Sequence, residues 1–372
     1  MTSIDTTLAA SPEPSEEAEA FAEQVFAAVL AAQRIQAIDL GDRLGWYRAL
    51  AAAGPLTAAE LAARTGSHAR YAREWLEHQA VCGYVTVDDA AAAPDERRFS
   101  LPAAHAAVLA DPDSLVHLAP LARFVGACGL QLDRMAEAYR TGGGVSWAEL
   151  GDDARRAQAA ANRPLFLHRL GQELLPSAPD LHAFLGDARR IADVGCGFGW
   201  SSIGLARTYP GAAVDGYDVD GPSVAAARAN ASAEGLDHRV RFHLADAGDA
   251  SGLLEDAYDA VFAFECVHDL PDPVAVLSAM REMVAEGGAV IVMDERVEDR
   301  FAAPAGEVEQ LMYGYSIMCC LGDCMSHQPS AETGTVMRAE TLTRYARRAG
   351  FEAVEVLPIE DDFFRFYRLS AG

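Results

Sequence analysis

Asp193-Val194-Gly195-Cys196-Gly197-Phe198-Gly199 closes the short apolar run that begins at Arg190, and a helical pattern opens at Trp200. Glycines at the end of a strand let the backbone turn tightly and approach a ligand where a side chain would collide; in open α/β sheets the ligand sits at the carboxyl ends of the strands. The spacing discriminates between ligands. A dinucleotide fingerprint, G-x-G-x-x-G, would need glycine at position 200, which holds Trp200, so NAD is disfavoured.

Downstream, strands alternate with helices: RIADVG, helix 200–209, AAVDGYD, helix 222–234, RVRFHLAD, YDAVFAFE, helix 272–285 and GGAVIVMDE. Such alternation predicts a parallel sheet covered on both faces. A further helix, 340–349, leads into AVEVLPI and FFRFYRL, which read as a closing antiparallel hairpin. The second strand ends at Asp218, 19 residues after Gly199, where a carboxylate can accept both hydroxyls of a ribose; Asp220 is a near alternative. The third strand ends at Leu244-Ala245-Asp246-Ala247, where Asp246 could accept from an adenine amine.

Upstream, from about 103 to 186, the chain is helical and rich in Ala and Leu, interrupted by TGGGVSW, which reads as flexible. Before it, Thr57 can cap AAELAART, Gly66 breaks that helix, and Ser67 can cap a second helix carrying Tyr71, Trp75, Leu76 and Gln79. YVTV and RRFSL then read as two strands, which makes a winged helix. The second helix, Ser67 to Ala80, sets Arg70 and Arg73 against Glu74 and Glu77, so its charge cancels; a DNA-reading helix should be basic. A packing or dimerisation role follows. FAEQVFAAVLAAQRIQAIDLG carries a stripe of Phe21, Val25, Val29, Ala32 and Gln36, widened by Phe26, Leu30 and Ile35, broad enough to pack on a partner as well as on its own domain. Residues 1–18, rich in Ser, Pro and Glu, are expected to form a disordered tail. The expected domains are therefore 1–18, 19–102, 103–186 as helical linker and cap, and 187–372.

Composition narrows the function. The 372 residues carry 55 Asp and Glu against 30 cationic residues, a net charge of −25, and every cation is arginine. Without lysine, neither a Schiff-base enzyme nor a P-loop nucleotide site can be built. All-arginine usage beside so much alanine reads as genome composition bias. The acidic balance opposes a nucleic-acid substrate and leaves a small molecule as the expected partner. No run approaches a membrane span, the N-terminus lacks the marks of a signal peptide, and the seven scattered cysteines suit reduced thiols, so a cytoplasmic location is expected. The sequon at Asn230 falls on an expected helix and carries no weight.

The run DVGCGFG, YDVD, LADA and AFECVHDLPDP resembles the class I S-adenosylmethionine-dependent methyltransferases over about 190–369. The resemblance implies an α/β fold, a seven-stranded Rossmann-like sheet whose last strand is antiparallel. It also implies that Gly195, Gly197 and Gly199 wrap the methionine portion of the cofactor, Asp218 holds the ribose and Asp246 the adenine. Asp193, Val219, Ala247 and Glu265 complete the cofactor candidates. The front half is similar to the dimerisation domain of plant-type small-molecule O-methyltransferases, and the whole resembles actinobacterial two-domain methyltransferases, so a homodimer is implied.

His268-Asp269 lies just past the fourth strand, at the ligand end of the sheet. Methyl transfer from a sulfonium chiefly needs the acceptor aligned and its proton removed, and histidine titrates in the right range. The plant-type enzymes carry their catalytic histidine in a similar pair. A bland reading of His268 is a capping or core histidine. Those enzymes support the histidine with two acids; here Asp294, beside Glu295, stands in one place, and no matching acid is found near Met337-Arg338. O-methylation is the leading reading, with nitrogen, carbon or sulfur acceptors open. A regulator that binds DNA through the winged helix and senses the cofactor is the competing class.

A long insertion follows the fifth strand. Val308, Leu311, Met312, Tyr315, Met318 and Cys319 share a helical face, which reads as core or as a lid over an apolar acceptor. Met312, Tyr315, Cys319, His327 and Met337 are the substrate candidates. Cys319, Cys320, Cys324 and His327 match no structural zinc spacing, so no metal is expected.

Overall fold

The computed structural model describes residues 14–249 and 257–370. The chain divides into two units, 1–102 and 103–372. Residues 1–13 of the expected tail lie outside the described residues, but helix α1, Glu16–Arg43, already includes the last three residues assigned to that tail. Ser15 is the reason: its side chain accepts from the Ala18 amide and caps the helix.

In the first unit, α2 (Trp46–Ala53), α3 (Ala58–Thr65) and α4 (Ala69–Val81) lead into the two short strands β1 (Thr86–Val87) and β2 (Phe99–Ser100), which pair antiparallel. Thr57 and Glu60 form the capping box of α3. The cap of α4 departs from expectation. His68, whose ring nitrogen accepts from the Arg70 amide, takes the place assigned to Ser67. Ser67 is drawn away because its hydroxyl accepts the Trp46 indole N–H at 3.1 Å. Trp46, Trp75 and Leu76 fill the core, Tyr47 hydrogen-bonds buried Gln79 at 2.5 Å, and Tyr71 is exposed. On α1 the broad apolar stripe is open: Phe21 is 64% and Phe26 63% exposed.

The second unit holds helices α5 (Ala103–Leu109), α6 (Ala119–Gly129), α7 (Leu132–Thr141), α8 (Trp147–Pro164) and α9 (Pro179–Asp187), with a π-helical turn, Leu165–Leu174, between the last two. These helices share a unit with the sheet. Its elements run β3 (Arg190–Val194), α10 (Trp200–Thr208), β4 (Ala213–Asp218), α11 (Gly221–Ala233), β5 (Val240–Leu244), β6 (Tyr258–Phe264), α12 (Pro273–Met283) and β7 (Val284–Glu295). The insertion supplies α13 (Glu307–Tyr315) and α14 (Leu321–Ser326), and α15 (Ala339–Arg348), β8 (Ala353–Val356) and β9 (Phe364–Ser370) close the chain.

Among the described residues the strands form a seven-stranded sheet of order β5-β4-β3-β6-β7-β9-β8, with β9 antiparallel to both its neighbours. The central strands are apolar on both faces; Ile191, Ala192 and Ala260 through Ala263 are fully buried, as strands covered by helices must be. The chain leaves β3 toward β4 and β5 and returns to β6 on its other side, so the crevice of the sheet opens at the carboxyl ends of β3 and β6.

Two expectations for the second unit are corrected. TGGGVSW is docked: Val145 is buried and its amide bonds the Gly322 carbonyl, while a Cβ on Gly144 would come within 2.1 Å of that oxygen. The insertion's single apolar face is broken: within α13 Leu311 is exposed and Glu309 is buried, ion-paired with Arg338 at 2.9 Å, and a π-helical turn at Ser316–Cys320 then separates α13 from α14. No helix among the described residues is long and apolar enough to cross a membrane.

Candidate active site

The glycine loop is shaped by its neighbours. Gly195 donates its amide to the Tyr217 carbonyl at 2.8 Å, with φ at +73°, and a Cβ there would meet Cys266 Sγ at 2.7 Å. Gly197, φ +50°, has nothing within 4 Å of a built Cβ, so its face is open. Behind the loop Asp193 is fully buried. Ser201 and Ser202, in the first turn of α10, donate to its Oδ2 at 2.6 and 2.5 Å. Burial pushes its carboxyl up to about 6, and its Oδ1 has no partner among the described residues.

Asp218 accepts the Gly197 amide on one oxygen and the Asp220 amide on the other, each at 2.8 Å. Burial raises its pKa above the ordinary value, and the two amides counter that rise. Asp220 is committed elsewhere: Arg155 of α8 grips both its oxygens at 2.8 and 2.9 Å, and it caps α11 through the Ser223 amide. Of the two acids, Asp220 is thus the one held by an arginine. Arg155 carries no local signal, being 65 residues away in the chain. Asp246 is exposed and accepts the Gly248 amide, and Ala247 is buried beside it. Val219 and Leu244 stand 67% and 60% exposed at the ends of β4 and β5, an apolar pair suited to the faces of a planar ring.

The ends of β6 and β7 carry a different arrangement. Glu265 adopts φ +51°, a left-handed conformation that costs a non-glycine residue about 1 kcal/mol or more and is found at functional sites. Asn162 of α8 donates to both its oxygens at 3.2 Å, and burial pushes its carboxyl up to about 8. His268 follows in a 3₁₀ turn, Val267–Asp269, and is 2% exposed. Its Nδ1 hydrogen-bonds Asp294 Oδ1 at 2.7 Å. Glu295 Oε2 lies 2.9 Å from the same nitrogen and Asp269 Oδ1 3.2 Å from Nε2, and a hydrogen bond joins the Asp294 and Glu295 side chains. Burial alone would lower the imidazole pKa, but Asp269, Glu295 and Asp294 together hold it well above the ordinary value. Asp294 stays low despite burial because His268 faces it, while burial and the Asp294 charge drive Glu295 up.

The other candidates scatter. Met312 is buried on α13. Tyr315 packs edge-on to Phe124 at 5.7 Å, and its phenol is pushed up to about 12 by burial and by the nearby Cys128, Cys320, Glu265 and Glu295 charges. Cys319 lies in a core cluster with Cys128, Phe124 and Met135. Met337 packs against Leu342 and Tyr345 in the core beneath the sheet, and His327 is exposed at the end of α14. Cys324 donates to the Leu270 carbonyl, apart from any cysteine set. The described metal-capable groups are instead His268 with Asp294 and Glu295, and His268 with Asp269 and Cys320, each with donor atoms within 4.8 Å of one another. Asn162, Arg155 and Glu295 are the residues that sequence reasoning undervalued.

Comparison with known proteins bears on this arrangement. A family model described as "Methyltransferase domain" matches residues 185–350, and one described as "Rv2258c-like winged HTH domain" matches residues 32–111. Methyltransferase GfsG of Streptomyces halstedii is 35% identical over 28% of this chain and 37% of its own length. Ubiquinone biosynthesis O-methyltransferase of Aeromonas salmonicida is 34% identical over 28% of this chain and 42% of its own. The chain thus spans less than half the length of these two relatives. The solved structure of the mitomycin 7-O-methyltransferase MmcR superposes with a TM-score of 0.68 over 96% of this chain and 100% of that one, at 23% identity, a likeness of fold.

Proposed function

We propose, for a chain that carries a methyltransferase domain behind a winged helix-turn-helix domain, the transfer of a methyl group from S-adenosylmethionine to a small molecule, with oxygen as the leading acceptor atom. The observation that carries this reading is the glycine loop, Asp218 and Asp246 at the ends of three adjacent strands, beside an open Gly197 and the exposed Val219 and Leu244. The chain's own residues fit the cofactor. Positive-φ glycines leave room for it, Asp218 retains lone pairs for two ribose hydroxyls, Val219 and Leu244 offer faces to an adenine, and the unpartnered Asp193 Oδ1 awaits a donor. When bound, the cofactor supplies an electrophilic methyl on a sulfonium.

His268 acts as the base. Its hydrogen bond to Asp294 keeps the proton on Nδ1 and leaves Nε2 to take a proton from the acceptor; Asp269, Asp294 and Glu295 then stabilise the imidazolium. The insertion covers this end of the sheet: Gly334 donates to the His268 carbonyl and Cys324 to that of Leu270, which excludes water.

The exposed apolar stripe of α1 supports pairing with a second copy, and the free thiols support a cytoplasmic home. The regulator reading is not favoured, because α4 has its arginines matched: Arg70 pairs with Glu74 and Arg73 with Asp95. Calorimetric titration of S-adenosylmethionine, with product thioether detected on turnover, tests the proposal. Tight binding by the native chain and loss in Asp218→Ala is the expected pair; equal affinity in both would overturn the cofactor assignment.

A further inference from the structure

Helix α8 meets the carboxyl end of the sheet through three side chains. Arg155 reaches Asp220 past the end of β4, Asn162 reaches Glu265 past the end of β6, and the Arg163 guanidinium lies 5.0 Å from the centre of the Trp200 ring, next to the glycine loop. Arg155 and Asn162 are seven residues apart, about two helical turns, and so share a face. The helix has other means of docking. Leu150, Ala154 and Ala157 are buried in one apolar cluster with Phe124 and Cys128 of α6.

Arg155 is the most committed of the three. It is 7% exposed, and each nitrogen of its guanidinium meets an acid: Nε and one terminal nitrogen reach the two oxygens of Asp220 at 2.8 and 2.9 Å, and the other terminal nitrogen reaches Asp152 at 3.2 Å. A fork of this kind fixes the plane of a carboxylate as well as its position. What it fixes lies one step from the ribose acid. The Asp220 amide donates to Asp218 Oδ1 at 2.8 Å, so the residue that Arg155 grips by its side chain orients Asp218 by its backbone. Charge acts in the same direction. Burial pushes the Asp218 carboxyl above its ordinary value, and the neighbouring Asp220 charge adds to that push. A guanidinium seated on Asp220 offsets the second contribution and favours the ionised Asp218, the form whose oxygens accept from two hydroxyls.

Resting on the methyltransferase reading, we infer that Arg155 is a positioning residue for the cofactor: acting through Asp220, it sets Asp218 to accept the ribose hydroxyls of S-adenosylmethionine. Its effect is confined to the ribose, because the carboxylate it orients is the one assigned to those hydroxyls. An ion pair that merely fastened α8 to the sheet would show no such preference for one part of a ligand.

The test is calorimetric titration of the full chain with S-adenosylhomocysteine and with its 2′,3′-dideoxy analogue, which keeps the adenine and the charges and lacks both hydroxyls. Arg155→Met should weaken S-adenosylhomocysteine about tenfold and leave the analogue within about twofold of its affinity for the native chain. Arg155→Lys, a second variant should the first fold poorly, keeps the charge and loses the fork, and its affinity for S-adenosylhomocysteine should fall between those of the native chain and Arg155→Met. In an Asp218→Ala background, Arg155→Met should add less than about twofold, because the group it orients is gone. A purely structural loss would weaken both ligands alike and add fully to Asp218→Ala. That result, or native affinity for S-adenosylhomocysteine in both Arg155 variants, would overturn the inference alone. Failure of the native chain to bind S-adenosylhomocysteine would bring down the methyltransferase reading and this inference together.

Discussion

At the ends of β3 and β4 the acids take hydrogen bonds from backbone amides and serine hydroxyls, whereas at the ends of β6 and β7 they face an imidazole, an asparagine amide and one another. Asp218 takes two backbone amides from within its own loops, and Asp193 takes two serine hydroxyls one helical turn away. Around His268, Asp269, Asp294 and Glu295 face one imidazole, and Glu265 takes the amide of Asn162. Acids fixed by neighbouring amides and hydroxyls are held in one place, whereas acids coupled to an imidazole and to one another set where a proton resides.

The sharpest way to break this contrast is to remove the base. His268→Ala should lower turnover about 10²- to 10⁴-fold while changing cofactor affinity less than about threefold, as read by steady-state rates and calorimetry. Parallel loss of both would mean that the two ends are one site. The next largest effect lies in the cradle: Asp218→Ala removes acceptors for two hydroxyls and should weaken cofactor binding about 10- to 100-fold, with turnover recovering at saturating cofactor.

The pH profile sharpens the other half. His268 must be neutral to accept a proton, and three acids hold its pKa above the ordinary histidine value. Activity should therefore still be rising with pH above about 7, where an unperturbed histidine base would already have levelled off. In Asp294→Asn one of the raising charges is gone, so that limb should shift to lower pH, even as the rate at its plateau falls.

The smallest effect concerns stability. Glu265 holds its proton in the fold up to about pH 8, whereas an unfolded chain releases it in the ordinary carboxylate range. Stability from this group is therefore lost as pH rises across that window. Glu265→Gln removes the penalty and should raise Tm by about 2–4 °C at pH 8.5 and leave it unchanged near pH 4, measured by thermal unfolding without cofactor.

Much of the fold was legible along the chain because its signals are local. Apolar runs ending in glycine or aspartate announced the strands, and Thr57 with Glu60 announced a helix start that the structure bears out. Local signals also misled where a distant group intervened. Ser67 reads as a cap until Trp46 claims its hydroxyl, and TGGGVSW reads as flexible until Gly322 packs against it. The insertion looked like one amphipathic helix, but a π-turn divides it, and within α13 the ion pair with Arg338 takes Glu309, not Leu311, inside.

The sequence by itself determined the doubly covered sheet, the winged helix and the cradle's acids, since each is encoded by a few consecutive residues whose spacing maps directly onto a strand end or a helix turn. The tertiary structure alone showed that Arg155 of α8 grips Asp220 while Asp218 takes two backbone amides. It alone brought Asn162 of α8 onto Glu265 and set Glu295 within 2.9 Å of His268, because these residues lie on different elements and meet only when β6 and β7 align. Charge and hydrogen-bond balance belong to a three-dimensional neighbourhood, and no stretch of chain carries them alone.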